Sequence, residues 1–253
     1  MLSSLDGVAA PTLVTLVLAA LIAGTSRGFS GFGAALIFIP IASAAVGPKV
    51  AAPLLLVVDS ILSLSMVPGA WPRAAKRDVA VMATGTLAGV PTGAWILSRS
   101  DPVSVRWVIT AMIFALLALL VSGWRYRARP KVPLTIGVGA VAGLFSGLAQ
   151  VGGPPVVAYW LGGASDAARV RANIVLYFAV SSSFVFASYI ANGLLTTSII
   201  GLALVTGPAY GFGIWCGSRL FGRASEVMFR RTAYALIAAA GLIGLPALDG
   251  LLR

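Results

Sequence analysis

The segment Ser26-Arg27-Gly28-Phe29-Ser30-Gly31-Phe32-Gly33 and the later segment Ser146-Gly147-Leu148-Ala149-Gln150-Val151-Gly152-Gly153-Pro154-Pro155 are glycine-rich interruptions in otherwise apolar sequence. Each follows an apolar run approaching the roughly 20 helical residues that cross a bilayer. Each precedes a shorter one, at 34–46 and 156–163, that cannot cross upright by itself. Backbone groups cannot go unpaired in hydrocarbon, so such a break at membrane depth is tolerated only when buried in protein or lining a cavity. Two of them predict a polytopic membrane protein with broken or re-entrant helices.

Working outward, the first half continues with apolar runs at 51–70, 79–98 and 107–123, after an opening run at 9–25. The second half answers with 132–146, 172–190, 194–217 and 232–251. A constant offset that pairs Gly33 with Gly153 also pairs Val50 with Val170, Trp95 with Trp215, Arg99 with Arg219 and Leu116 with Leu236. The expected architecture is therefore all-α, with two inverted repeats of about four apolar segments each. Residues 1–124 form the first repeat, 125–131 a basic cytoplasmic linker, and 132–253 the second repeat. The opening run carries Asp6 and no Lys or Arg before it, so it reads as a retained span and not as a cleaved signal.

Composition points the same way. Of 253 residues, 59% are hydrophobic and 10% charged, against roughly 45–50% and about 25% in soluble domains. The formal charge of +11 would suggest a polyanionic partner in a soluble chain, but here the basic residues serve as topology markers and no nucleic acid is expected. If each broken element contributes both arms, fourteen of the Lys and Arg residues fall on one face and four on the other. Cytoplasmic loops hold such an excess, which places both termini outside. The aligned loops agree: the basic turn at 73–77 matches the uncharged 192–197. Trp71, Trp107, Trp124 and Tyr126 fall at span ends, where aromatic belts form.

The chain has no histidine and a single cysteine, Cys216. Ser-His and Cys-His catalysis, intrachain disulfides and His- or Cys-rich metal sites are excluded, and neither an enzyme nor a cofactor is expected. Gly28-x-Ser30-Gly31 resembles the nucleophile motif of an intramembrane serine protease, but nothing activates Ser30.

Matched interruptions in two inverted halves are where transporters bind substrate. Pro154 and Pro155 suit the first turn of a helix, so one helix starts there and its counterpart near Ala34. Helix starts present free N–H groups and the positive end of the dipole. Their convergence makes a small-anion pocket with Ser26, Arg27, Ser30, Gly31, Gly33, Ser146, Gln150, Gly152 and Gly153 as substrate-binding candidates. The glycines equally suit close helix packing, and Arg27 equally suits a snorkelling residue at the interface. Asp59 lies mid-run, where a carboxylate is expensive; it is a coupling group for protons, an internal partner of Arg27, or a capping and packing residue. Asn173, Tyr177 and Ser181 to Ser183 form a polar stripe of packing or ligand type. The spaced glycines 85, 89, 93, 207, 211, 213 and 217 read as helix-packing positions.

At Gly28-Phe29-Ser30-Gly31-Phe32-Gly33, ending at Pro40, and at Gly147-Leu148-Ala149-Gln150-Val151-Gly152-Gly153-Pro154, the chain resembles the TauE/SafE family of sulfite and organosulfonate transporters over nearly its whole length. The resemblance implies a multi-pass permease of the bacterial plasma membrane for sulfite, thiosulfate, sulfoacetate or taurine-derived products. From the residues alone the expectation is a gradient-coupled transporter of a small anion. The rival reading is a membrane scaffold or biogenesis subunit that moves nothing.

Overall fold

The computed structural model describes residues 9–30, 33–126, 131–161, 166–220 and 226–252, and among these every regular element is helical. In chain order they are α1 (Ala10–Ser30), α2 (Ala34–Val46), α3 (Pro48–Leu64), α4 (Val67–Ala70), α5 (Lys76–Arg99) and α6 (Pro102–Ser122). After the linker come α7 (Val132–Ala149), α8 (Gly153–Trp160), α9 (Ala167–Ala191), α10 (Thr197–Leu220), α11 (Glu226–Gly244) and, beyond a 3-10 turn at Pro246–Leu248, α12 (Asp249–Leu252). Six of them, α1, α5, α6, α7, α9 and α10, are long and apolar enough to cross a bilayer. The chain is a polytopic membrane protein by this measure, and side chains such as Leu87, Trp95, Ile200, Phe212 and Trp215 face outward as they would toward lipid.

Three boundaries differ from the sequence reading. The run at 51–70 is not one segment: α3 ends at Leu64, and α4 restarts with Pro68 in its first turn, where a missing N–H costs nothing. The run at 232–251 stops at Gly244, because Pro246 cannot continue a helix. In the first glycine motif, Ser26 to Ser30 remain helical as the end of α1. Glycine costs a helix about 1 kcal/mol relative to alanine, and packing outweighs that cost here. A Cβ on Gly24 would run into the backbone of Tyr210, and one on Gly28 into the backbone of Ile214. The glycines let α1 and α10 touch main chain to main chain.

α5 and α7 make the same kind of contact. Cβ atoms on Gly85, Gly89 and Gly93 would strike the carbonyls of Ile136, Ala140 and Leu144, and Gly139 and Gly147 on α7 lie equally close to Met82 and Val90. The residue numbers rise together in both pairs, so α1 runs parallel to α10 and α5 parallel to α7. These are the most extensive helix contacts in the bundle.

Hydrogen bonds define the two ends of the bundle. At one end Lys49 Nζ donates to the Ser98 carbonyl at 2.9 Å, Ser98 Oγ to Asn192 Oδ1 at 3.1 Å, and Arg106 pairs with Asp249 at 2.6 Å. At the other, the Ala75 amide donates to Asn173 Oδ1 at 2.7 Å and the Tyr126 amide to the Ala158 carbonyl at 3.1 Å. α2 therefore leads from the first break to the Lys49 end, and α8 leads from the second break to the Tyr126 end. A large apolar core, including Leu16, Phe38, Leu54, Leu97, Ile113 and Tyr189, packs around α2 and α3.

Candidate functional site

The breaks between α1 and α2 and between α7 and α8 open onto one cavity of about 60 Å³. One water needs roughly 10–15 Å³ of such space, so the cavity holds an ion of a few heavy atoms and not a large solute. Its wall includes Arg27 from α1, Gly33 to Leu36 at the start of α2, and Leu55 and Asp59 from α3. It is completed by Ser146 and Gln150 around the end of α7, Gly153 and Pro154 at the start of α8, and Phe178, Ser181 and Ser182 from α9.

Local geometry explains how each break is made. Gly33 caps α2 at φ 95°, a left-handed conformation that favours glycine. Gln150 adopts the same region at φ 60°, where the Gln150 amide caps α7 by donating to the Ser146 carbonyl at 3.0 Å. A non-glycine residue there carries a local cost and is a position to ask about function. Gln150 lines the cavity, and its side-chain Nε2 is fully buried beside Tyr189 without a well-formed hydrogen bond. The neighbouring Tyr189 hydroxyl is committed to the Gly147 carbonyl at 2.9 Å. A buried amide donor left without a well-formed partner costs about 1–3 kcal/mol.

The charged centre is compact. Arg27 Nε lies 2.6 Å from Asp59 Oδ1, with side chains 18% and 24% exposed. The Tyr210 hydroxyl of α10 donates to the same oxygen at 2.5 Å. Of the roles weighed for Asp59, the internal partner of Arg27 is therefore present in this arrangement. The tight α1–α10 packing that Gly24 and Gly28 permit is what brings Tyr210 to it.

Arg27, Gly33, Ser146, Gln150, Gly153 and Asp59 thus meet at one cavity. Ser26 is buried, with its Oγ 3.7 Å from where a Gly33 Cβ would lie, and it does not line the wall. Gly152 lies behind the wall, where a Cβ would collide with Ser146 Oγ and the Ala142 carbonyl. Ser30 ends α1, but its side chain and the whole of Gly31 fall outside the described residues. The two helix starts are unequal as donors. By helix geometry the first amides of α2 have no acceptor within it, whereas Pro154 and Pro155 remove two donors from the start of α8.

The sequence reading missed Tyr210, although a phenol amid Gly207-Pro208-Ala209-Tyr210-Gly211 in an apolar run was a signal. It treated Ser181 and Ser182 as packing or ligand residues, and both line the cavity. Asn173 and Tyr177 of the same stripe serve packing, through the Ala75 amide and Thr86 Oγ1 at 2.9 Å.

An all-helical polytopic membrane protein with a small cavity holding an Arg–Asp pair at its centre is organised as a membrane transporter would be. The chain belongs to the sulfite exporter TauE/SafE family, whose profile matches residues 16–243. Membership places it among membrane transporters of sulfite and related sulfur anions, a transporter family and not an enzyme family. No curated protein and no solved structure matches the chain.

Proposed function

We propose that the protein moves a small sulfur oxyanion across a bacterial plasma membrane, as two inverted halves whose glycine-tipped hairpins meet at the substrate. The observation that carries this reading is the shared cavity, whose wall brings together Arg27, Gln150 and the starts of α2 and α8. Sulfite and thiosulfate, with four and five heavy atoms, suit its size. Ser146, Ser181, Ser182 and the first amides of α2 supply further donors. Ser26, Gly33, Gly152 and Gly153 shape the tips, and Ser30 and Gly31 remain substrate-binding candidates by sequence.

The halves at 1–124 and 132–253 correspond as α1 with α7, α2 with α8, α3 with α9, α5 with α10 and α6 with α11. Two features support an inverted relation. The tightest pairs, α1–α10 and α5–α7, exchange under this correspondence. Matched helices also run in opposite directions: α3 starts at the Lys49 end, where α9 finishes, and α6 starts at the Asp249 end, toward which α11 runs. α1–α2 then enters from one side and α7–α8 from the other as re-entrant hairpins. Among the described residues, Arg73, Lys76, Arg77, Arg125, Lys131, Arg169 and Arg171 gather at the Tyr126 end, which supports that end as the cytoplasmic one.

Asp59 is the coupling group for an ion gradient, as the carboxylate in the cavity wall. Thermal unfolding of the purified protein against sulfite, thiosulfate, sulfoacetate and acetate tests the site. A ligand at about 100 times its Kd stabilises by about 2.7 kcal/mol, so a rise with the sulfur anions that Arg27→Gln abolishes is expected. No rise with any sulfur anion would overturn the reading and favour a scaffold that moves nothing.

A further inference from the structure

We propose that Asp59 is the resting occupant of the anion site: it holds the Arg27 guanidinium until substrate arrives, and Tyr210 then retains the displaced side chain. This rests on reading the cavity as the anion site. Both Arg27 and Asp59 line that cavity, so a bound anion meets a neutral pair and not a bare cation. Adding an anion without any other change leaves an uncompensated negative charge in a low-dielectric space, which is expensive. The least costly relief is a proton on Asp59, which cancels the charge of a monoanion and one of the two charges of a dianion such as thiosulfate. The neutral acid gives up Arg27 to the substrate and keeps one hydrogen bond, because the Tyr210 hydroxyl already touches the oxygen that Arg27 holds.

Anion and proton then bind together by electrostatics alone, and each raises the affinity for the other. Among the described contacts, the charged or titratable side chains facing Asp59 are Arg27 of α1 and Tyr210 of α10. The cavity wall contributed by α2, α7, α8 and α9 is uncharged. Tyr210 is a positioning residue in this scheme, since it acts through Asp59. Unlike Asp59, it is fully buried and anchored on the helix packed hardest against α1.

The test is titration calorimetry of the full-length protein in detergent with sodium thiosulfate, whose charge stays fixed from mildly acid to mildly alkaline pH. Wild type is expected to bind more tightly as pH falls and to take up close to one proton per anion, measured by repeating the titration in buffers of different ionisation heat. Asp59→Asn is expected to bind about tenfold tighter or more, the scale on which one neighbouring charge shifts an ionic equilibrium, and to lose the pH dependence and the proton uptake. Tyr210→Phe is expected to tighten binding severalfold when Asp59 is intact, because the hydroxyl's bond favours the ionised carboxylate over the neutral acid, and to have no effect when combined with Asp59→Asn, a coupling that a purely structural tyrosine would not give. If Asp59→Asn folds poorly, the wild-type proton uptake still decides. Tight wild-type binding with no proton uptake overturns the resting-occupant proposal and leaves the anion site standing. No thiosulfate binding by wild type, alone or with sulfite as second probe, overturns the anion site itself.

Discussion

Gly152 and Gly153 are adjacent, and the structure gives them opposite tasks. A methyl on Gly152 would overlap Ser146 Oγ and the Ala142 carbonyl oxygen, with the Ala142 carbonyl carbon at 3.1 Å. Two of those three atoms are backbone of α7, itself wedged against α5, so relief requires moving a helix. Overpacking of this kind costs about 1–3 kcal/mol, and in a chain of this size each kcal/mol lowers Tm by roughly 2–4 °C. Gly152→Ala is therefore expected to melt about 2–12 °C lower. A methyl on Gly153 meets only Phe178 Cζ, at 3.6 Å, an ordinary contact, and neither glycine has the positive φ that would strain alanine. Gly153→Ala is expected to melt with wild type. Its methyl, however, stands in the wall of a cavity of about 60 Å³ and takes room from the ion. Scanning fluorimetry in detergent and uptake of radiolabelled sulfite into proteoliposomes separate the two effects. Wild-type uptake by Gly153→Ala, or an unchanged melting point for Gly152→Ala, would refute the assignment of these neighbours to wall and to packing.

Gln150→Gly keeps the left-handed cap and removes the side chain from the cavity wall; calorimetric affinity for thiosulfate should fall by about tenfold, as a hydrogen bond to a charged group of about 1.5–3 kcal/mol predicts. Asp59→Asn should abolish the dependence of uptake on an imposed proton gradient, and an unchanged dependence in proteoliposomes would exclude the coupling role. Gly89→Ala places a Cβ 2.7 Å from the Leu144 amide nitrogen and should lower the melting point without changing anion affinity in the folded fraction. Arg106→Gln breaks a bidentate pair with Asp249 at 2.6 and 2.8 Å. Because Asp249 is 37% exposed, the loss should fall below the 3–5 kcal/mol of a fully buried pair, at about 1–3 kcal/mol by thermal unfolding, with transport retained.

Periodicity and spacing made much of this legible. The short segment 34–46 coincides with α2 because Gly33 and Gly47, both at positive φ, bracket it. Arg27 and Asp59 stood out because isolated charges in apolar runs are rare. The sequence did not reveal that they pair, since a contact between α1 and α3 depends on where α2 sends the chain. Nor did glycine count alone separate wall from packing: Gly28, Gly152 and Gly153 are one residue type, and what each faces across the fold decides its task. The end of α1 was misplaced for the same reason, because α10 pins residues that local propensity would release. Pro154 and Pro155 marked the helix start correctly while removing the very amides that make a helix start attractive to anions.

The tight pairing of α1 with α10 also bears on how the molecule is made. α1 leaves the ribosome well before α10, yet it is α10 that supplies the surface against which Gly24 and Gly28 fit. Until then the first hairpin has no partner for its glycine face, and Arg27 lacks the Tyr210 end of its network. α5 and α7, separated by one helix and the linker, can dock much earlier. The charged centre can be completed only once α10 has been made. A nascent chain arrested before residue 197 would hold its α5–α7 contact while its first helix remained open to proteolysis and to the membrane's quality control.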